Sequence, residues 1–327
     1  MHRLERHWYS KTPVSLLLLP ASWLYCAFMI LRRVLYRARI LSAVKSSVPV
    51  IVVGNVTVGG TGKTPFVIWL AGFLRNKGLR PGIVLRGYRG AAKDWPQDVT
   101  PQSDPDLAGD EAVMLARQSG CPVAADPDRA RGAEFLVREH RCDVIVSDDG
   151  LQHLHLARDI EIAVIDGERR FGNGYCLPAG PLREPVSRLQ ETALRIANGE
   201  PQEGELGMAL TETALCRVDA PDICAAAGAF RGRAVHAVAG IGHPPRFFAH
   251  LRKLGFEVLE HPFPDHYRFQ PGDIRFDDHL PVIMTQKDAV KCERFAGDSV
   301  WCLSIQAQPD PRAGDEIWQR LKEIMRG

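Results

Sequence analysis

The chain predicts an α/β fold, a parallel sheet with helices on both faces. Short apolar strands alternate with segments of helical period from residue 49 to 166, and the first strand runs straight into a glycine loop closing on Gly62-Lys63-Thr64. A later strand ends in paired acids, Asp148 and Asp149, where ligands bind in open α/β sheets.

Residues 48–64 read VPVIVVGNVTVGGTGKT. Residues 49–53 form a buried strand, the glycines a loop, and Lys63 opens a helix. Glycines leave backbone N–H groups free to wrap phosphates, and the helix N-terminus adds its positive dipole end. Thr57, Val58, Gly59, Gly60, Thr61, Gly62, Lys63 and Thr64 therefore make a nucleotide cradle of P-loop NTPase type. Lys63 would reach the β/γ-phosphates of ATP, and the Thr64 hydroxyl would hold Mg²⁺. The strict pattern wants glycine at 57, where threonine stands.

A helix over 65–76 follows, then a strand over 81–85 and Arg86-Gly87-Tyr88-Arg89-Gly90. Residues 91–108, rich in Pro and Asp, read as an exposed loop. Gly109-Asp110-Glu111 opens the next helix; acids in a first turn also serve capping alone. A strand over 122–125 and a helix over 129–139 continue the alternation. Residues 142–149, CDVIVSDD, form a strand ending in acids that would hold Mg²⁺ directly or through water. His153 and His155 follow on the same rim, without the spacing of a third metal ligand. A strand over 160–166 leads into a loop over 167–185, dense in glycine and arginine and suited to an anionic ligand.

The 327 residues suffice for two domains, and 45% apolar with 24% charged residues is ordinary globular composition. A net charge of +2 gives no reason to expect nucleic acid, and no obligate protein partner is inferred. The eight cysteines contain no C-x-x-C pair, which predicts free thiols in a reducing, cytoplasmic compartment.

The N-terminus differs. Residues 12–31 carry no charge, and Arg32, Arg33, Arg37 and Arg39 follow. Four readings compete: a cleaved signal peptide, disfavoured for want of a small-residue cleavage site; a single spanning helix; a buried core helix; and an interfacial helix with arginines on anionic headgroups, which we prefer. Membrane contact is the expectation.

Residues 199–207 read as a linker, and a smaller α/β unit follows: an extended segment over 208–218, strands over 234–239, 257–260, 281–285 and 300–305, and helices over 245–254 and 315–325. Gly240-Ile241-Gly242 starts a dinucleotide fingerprint that nothing completes. His266, in a stiff loop after Pro262 and Pro264, suits a general base, although a lone histidine is more often structural.

The series GNVTVGGTGKTP, RGYRG, GDE, DPDRARGA, DDGLQH, GPLREP, AGIGHPPRFF, PDHYRF and KDAVK, in order from residue 54 to 291, resembles the tetraacyldisaccharide 4'-kinase family. The resemblance implies a peripheral enzyme on the cytoplasmic face of the inner membrane. It would move the ATP γ-phosphate to the 4'-hydroxyl of tetraacyldisaccharide 1-phosphate, yielding lipid IVA for lipopolysaccharide. It pairs Asp110 with His266 as catalytic dyad, maps the P-loop to Lys63 and Thr64 and the acidic pair to Asp148 and Asp149, and makes Arg129, His153 and Arg183 phosphate or substrate contacts. Which of Asp148, Asp149 and Glu111 binds Mg²⁺ directly stays open. The chain departs from the family at Gln286, usually glutamate, and His243, usually asparagine.

The expected organisation is a membrane-associating segment over 1–45, a kinase core over 46–205 and a C-terminal domain over 206–327 that closes on the site. Two switch proteins are the alternatives. A partitioning ATPase would carry a lysine where Val58 stands, and a metal-insertion GTPase would carry N/T-K-x-D, which Thr285-Gln286-Lys287-Asp288 partly imitates.

Overall fold

The computed structural model describes residues 5–88 and 90–326, so Arg89 of the R-G-Y-R-G stretch and the first four residues of the N-terminal segment lie outside it. Two helices come first, α1 (Pro13–Leu17) and α2 (Leu19–Arg37). The core then runs β1 (Val50–Gly54), α3 (Lys63–Asn76), β2 (Pro81–Leu85), β3 (Gln97–Val99), α4 (Pro105–Ala108), α5 (Asp110–Ser119), β4 (Val123–Ala125), α6 (Arg129–His140), β5 (Val144–Asp148), β6 (Ile160–Asp166) and β7 (Leu194–Asn198). It continues β8 (Leu206–Arg217), β9 (Cys224–Ala225), β10 (Ala234–Ala239), α7 (Pro244–Lys253), β11 (Glu257–Pro262), β12 (Val282–Thr285), α8 (Gln286–Cys292), β13 (Val300–Pro309) and α9 (Pro311–Arg326).

The strands join one sheet in the order β11-β10-β12-β13-β8-β7-β6-β1-β5-β2-β4-β3, with β9 on β8. From β8 to β4 neighbours pair in parallel, and so do those from β13 to β11. The two parallel sets meet at the long antiparallel pair β8/β13, which runs from Trp301↔Arg217 to Pro309↔Met208 with a register shift between Ser304 and Ile305. The C-terminal strands therefore extend the same sheet.

β1 is buried throughout, as a central parallel strand must be. The pleat turns Ile51 and Val53 toward α3 and α5, where Phe66, Leu70, Leu74 and Leu115 are fully buried. Val50 and Val52 face α6, Leu151 and Leu156. Ala313, Ile317 and Leu321 of α9 belong to the α3 side, so the last helix closes the core of the first parallel set.

Several expectations need correction. The loop over 91–108 contains β3, antiparallel to β4, and the short α4. β7 precedes the presumed linker, which folds back through a Gly199↔Met208 bridge. Cys216 and Cys224 are disulfide-bonded rather than free, because the β8/β9 register sets them directly opposite with Cα atoms 4.1 Å apart.

The N-terminal helices correct two of the readings. Among the described residues no helix is long and apolar enough to cross a membrane. A buried core helix is excluded as well, since Leu16, Leu17, Trp23, Leu24, Phe28 and Leu31 are exposed, Leu17 to 81%. Three of the arginines pair with the rest of the chain: Arg32 donates to the Gln152 carbonyl (2.8 Å), Arg33 pairs with Glu184 (3.4 Å) and the largely exposed Arg37 with Glu191 (2.7 Å). Buried Ser22 donates to the Cys176 carbonyl at 2.7 Å. The polar side of α2 grips the protein and the apolar side faces outward.

Candidate active site

The loop after β1 is fixed by glycine geometry and by its neighbours. Gly59 and Gly62 have φ of 104° and 92°, which favour glycine, and a Cβ on Gly62 would lie 2.7 Å from Asn198 Nδ2. Thr57 needs no glycine because it bridges antiparallel to Leu182, while Val58 N–H donates to the Pro181 carbonyl (2.8 Å) and Arg183 N–H to that of Val56 (2.7 Å). The G-P-L-R-E-P loop thus clamps the cradle. Asn198 at the end of β7 donates to the Thr61 carbonyl (3.2 Å).

Lys63 begins α3 and sends Nζ back across the loop to Asn55 Oδ1 (3.2 Å) and toward Asp149 (3.5 Å). Asp149 sits in the left-handed region (φ 50°) and takes Arg183 Nη1 on both carboxylate oxygens at 2.8 and 2.9 Å. Burial works against its charge, but Lys63 and Arg183 outweigh that and hold the carboxyl well below the usual range. Asp148 has the opposite balance: burial dominates and pushes it up to about 7, and Glu111 and Asp149 add like-charge repulsion. Its Oδ1 is buried without a hydrogen-bond partner.

Asp110, the first residue of α5, hydrogen-bonds His266 Nδ1 through both oxygens, at 3.1 and 2.9 Å. Burial opposes the Asp110 charge, and the His266 hydrogen bond with the Lys287 and Lys291 cations brings its pKa down. His266 lies between β11 and β12 with φ 59°, its N–H donating to the Gly240 carbonyl (3.2 Å). A non-glycine residue held there costs roughly 1–3 kcal/mol, a strain typical of functional sites. The two dyad members come from the two parallel strand sets.

The remaining predicted residues separate. Arg183 lies in the site on Asp149. Arg129 is buried, with Nη2 on the carbonyls of Asp148 (3.1 Å) and Asp149 (2.9 Å), so it props the acidic turn from behind. His153 Nε2 lies 3.1 Å from the Pro127 carbonyl, and burial with Arg129 and Arg158 pushes its pKa down to about 3. Glu111 pairs with Lys287 (3.0 Å). Among the described residues no group of three His, Cys, Asp or Glu side chains is arranged to hold a metal alone. Gln286 Oε1 accepts from Ile305 N–H (3.3 Å).

Two participants escaped sequence reasoning. Asn55 orients Lys63, and Asp166 at the end of β6 takes Arg169 (2.8 Å) and Arg246 of α7 (3.1 Å), while Arg169 reaches the Gly60 carbonyl (2.8 Å). An acid closing an apolar strand was the signal for Asp166, as it was for Asp148.

A phosphate-wrapping loop, a lysine, acids at the strand edge and an Asp–His pair together define a P-loop phosphotransferase. The tetraacyldisaccharide-1-P 4'-kinase family model matches residues 14–323, and the chain belongs to that family. It is 48% identical to the tetraacyldisaccharide 4'-kinase of Nitrosococcus oceani over 318 residues, 97% of this chain and 94% of that one. Against the protein of the same name from Alkalilimnicola ehrlichii it is 48% identical, covering 99% and 98% of the two chains. The fold is similar to the crystal structure of LpxK from Aquifex aeolicus in complex with ATP, with TM-score 0.81 and 29% identity, covering 94% of this chain and 99% of that one. The GTPase alternative falls away here, because Thr285 and Asp288 hydrogen-bond each other (2.7 Å) as the cap of α8.

The raised Asp148 carboxyl has a consequence for stability. In the unfolded chain it titrates near 4, so between about pH 4 and 7 the folded protein holds a proton the unfolded one releases, and its contribution falls as pH rises through that window. Asp148→Asn removes a penalty of at most roughly 4 kcal/mol. Without nucleotide, thermal unfolding is expected to show the variant above wild type at pH 8, with the gap closing toward pH 5.

Proposed function

We infer that the chain catalyses its family's reaction, moving the γ-phosphoryl group of ATP to the 4'-hydroxyl of tetraacyldisaccharide 1-phosphate and forming lipid IVA. The observation that carries this reading is the Asp110–His266 hydrogen bond, in a chain whose glycine-loop lysine reaches the strand-edge acid Asp149. In the transfer the sugar oxygen bonds to the γ-phosphorus as the bond to the β-phosphate oxygen breaks. The hydroxyl proton passes to His266 Nε2 while Asp110 keeps the ring oriented through Nδ1. Lys63 and the amides of residues 57–62 offset the charge on the phosphates, and Arg183 holds Asp149 in place.

The orphaned, buried Oδ1 of Asp148 suits a cation, and Thr64, Asp148 and Asp149 would hold Mg²⁺, which would supply charge neutralisation at the phosphates. Arg129 and His153 act by stiffening the acidic turn. Residues 46–205 form the nucleotide-holding part, and the second strand set within residues 206–327, which carries His266 and Arg246, closes onto it.

The outward apolar side of α1 and α2 fits the cytoplasmic face of the inner membrane, where the acyl chains of the glycolipid stay in the bilayer during transfer. With Trp23, Leu24 and Phe28 all replaced by serine, sedimentation with phospholipid vesicles is expected to fall at least tenfold while ATP affinity holds. With labelled ATP and the disaccharide in micelles, His266→Ala is expected to lower kcat by about 10²–10⁴ and to change the KM for ATP far less. Equal losses in both would overturn the role of His266.

A further inference from the structure

Lys287, at the start of α8, is not assigned by the phosphate cradle or by the Asp–His pair. Its Nζ lies 3.0 Å from Glu111 Oε1, 3.3 Å from Asp265 Oδ1 and 3.0 Å from His266 Nε2. An ammonium has three donors and no acceptor, and here three acceptors meet it. Nε2 must then present its lone pair, which puts the single ring proton on Nδ1, where Asp110 accepts it.

We propose that Lys287 is a positioning residue for His266: its ammonium occupies Nε2 before the sugar hydroxyl arrives, fixes the ring as the neutral Nδ1–H tautomer, and yields Nε2 to that hydroxyl. The inference rests on His266 being the base. Lys287 is a donor throughout, since burial opposes its charge but Glu111 and Asp110 outweigh that and hold it well above the usual lysine range. The hydroxyl proton consequently goes to Nε2 and the ammonium keeps its own three.

The charges around the ring set the expected direction. Asp110 of α5 and Asp265 of the ring's own loop, 3.7 Å from Nε2, favour the imidazolium. Lys287 opposes it at hydrogen-bond distance, and Lys291 of α8, 3.9 Å from Asp110 and paired with Asp288, weakens the Asp110 pull. Glu111 reaches the ring through Lys287, and the Tyr88 ring packs at 5.4 Å. Removing the Lys287 cation therefore favours protonated His266.

The test is the pH profile of kcat/KM for lipid phosphorylation in wild type, Lys287→Met, Lys287→Arg and His266→Ala. The acid limb is expected to move up by about 1 pH unit in Lys287→Met and to stay near wild type in Lys287→Arg. A purely structural Lys287 would lower activity at every pH without moving the limb, and that result overturns the proposal. A limb that survives in the residual activity of His266→Ala would overturn instead the reading of His266 as base. Should Lys287→Met not fold, ¹⁵N spectra of the wild-type histidines decide: a His266 ring with protonated Nδ1 and bare Nε2 supports the proposal, and the reverse tautomer contradicts it.

Discussion

The hydrogen bond between Asp110 and His266 is the interaction on which the rest of this architecture bears. Its members lie 156 residues apart, one opening a helix of the first parallel set and one in a left-handed loop of the second. The antiparallel seam β8/β13 fixes how the two sets meet, and α9 ties the second set back onto the core of the first. A second link of the same kind is Asp166, which holds Arg246 of α7 and, through Arg169, the Gly60 carbonyl. The glycine loop and the Asp110–His266 pair are thereby held on one continuous sheet.

The local electrostatics follow from burial and neighbouring charge at the strand edge. Asp148 and Asp149 are neighbours with opposite balances: the cations Lys63 and Arg183 keep one ionised, and burial leaves the other reluctant to ionise. Such divergence between adjacent carboxyls marks a place where a further positive charge is stabilising. Arg129 behind the turn holds the backbone carbonyls of Asp148 and Asp149.

Much of this was legible in the sequence because it rests on local rules. Buried parallel strands read as apolar runs, β2 and β6 were bounded to the residue, and the glycine spacing before Lys63 announced the cradle. What was hidden depends on register and long-range contact. The cysteine spacing of Cys216 and Cys224 names no pairing until the β8/β9 register sets them opposite. Arg32, Arg33 and Arg37 read as headgroup ligands because their partners Gln152, Glu184 and Glu191 lie more than a hundred residues away. The Asp110–His266 pair was reached through the family resemblance, since residue chemistry alone leaves a histidine in a proline-flanked loop ambiguous.

Whether Asp110 and His266 act as one unit across the two strand sets is decided by a double-mutant cycle in kcat/KM for phosphoryl transfer, using Asp110→Asn, His266→Ala and the combination. Residues that act together lose little more in the double variant than in the more damaging single one, and that is the predicted result. Losses that multiply would mean that the two side chains work independently, and would contradict it.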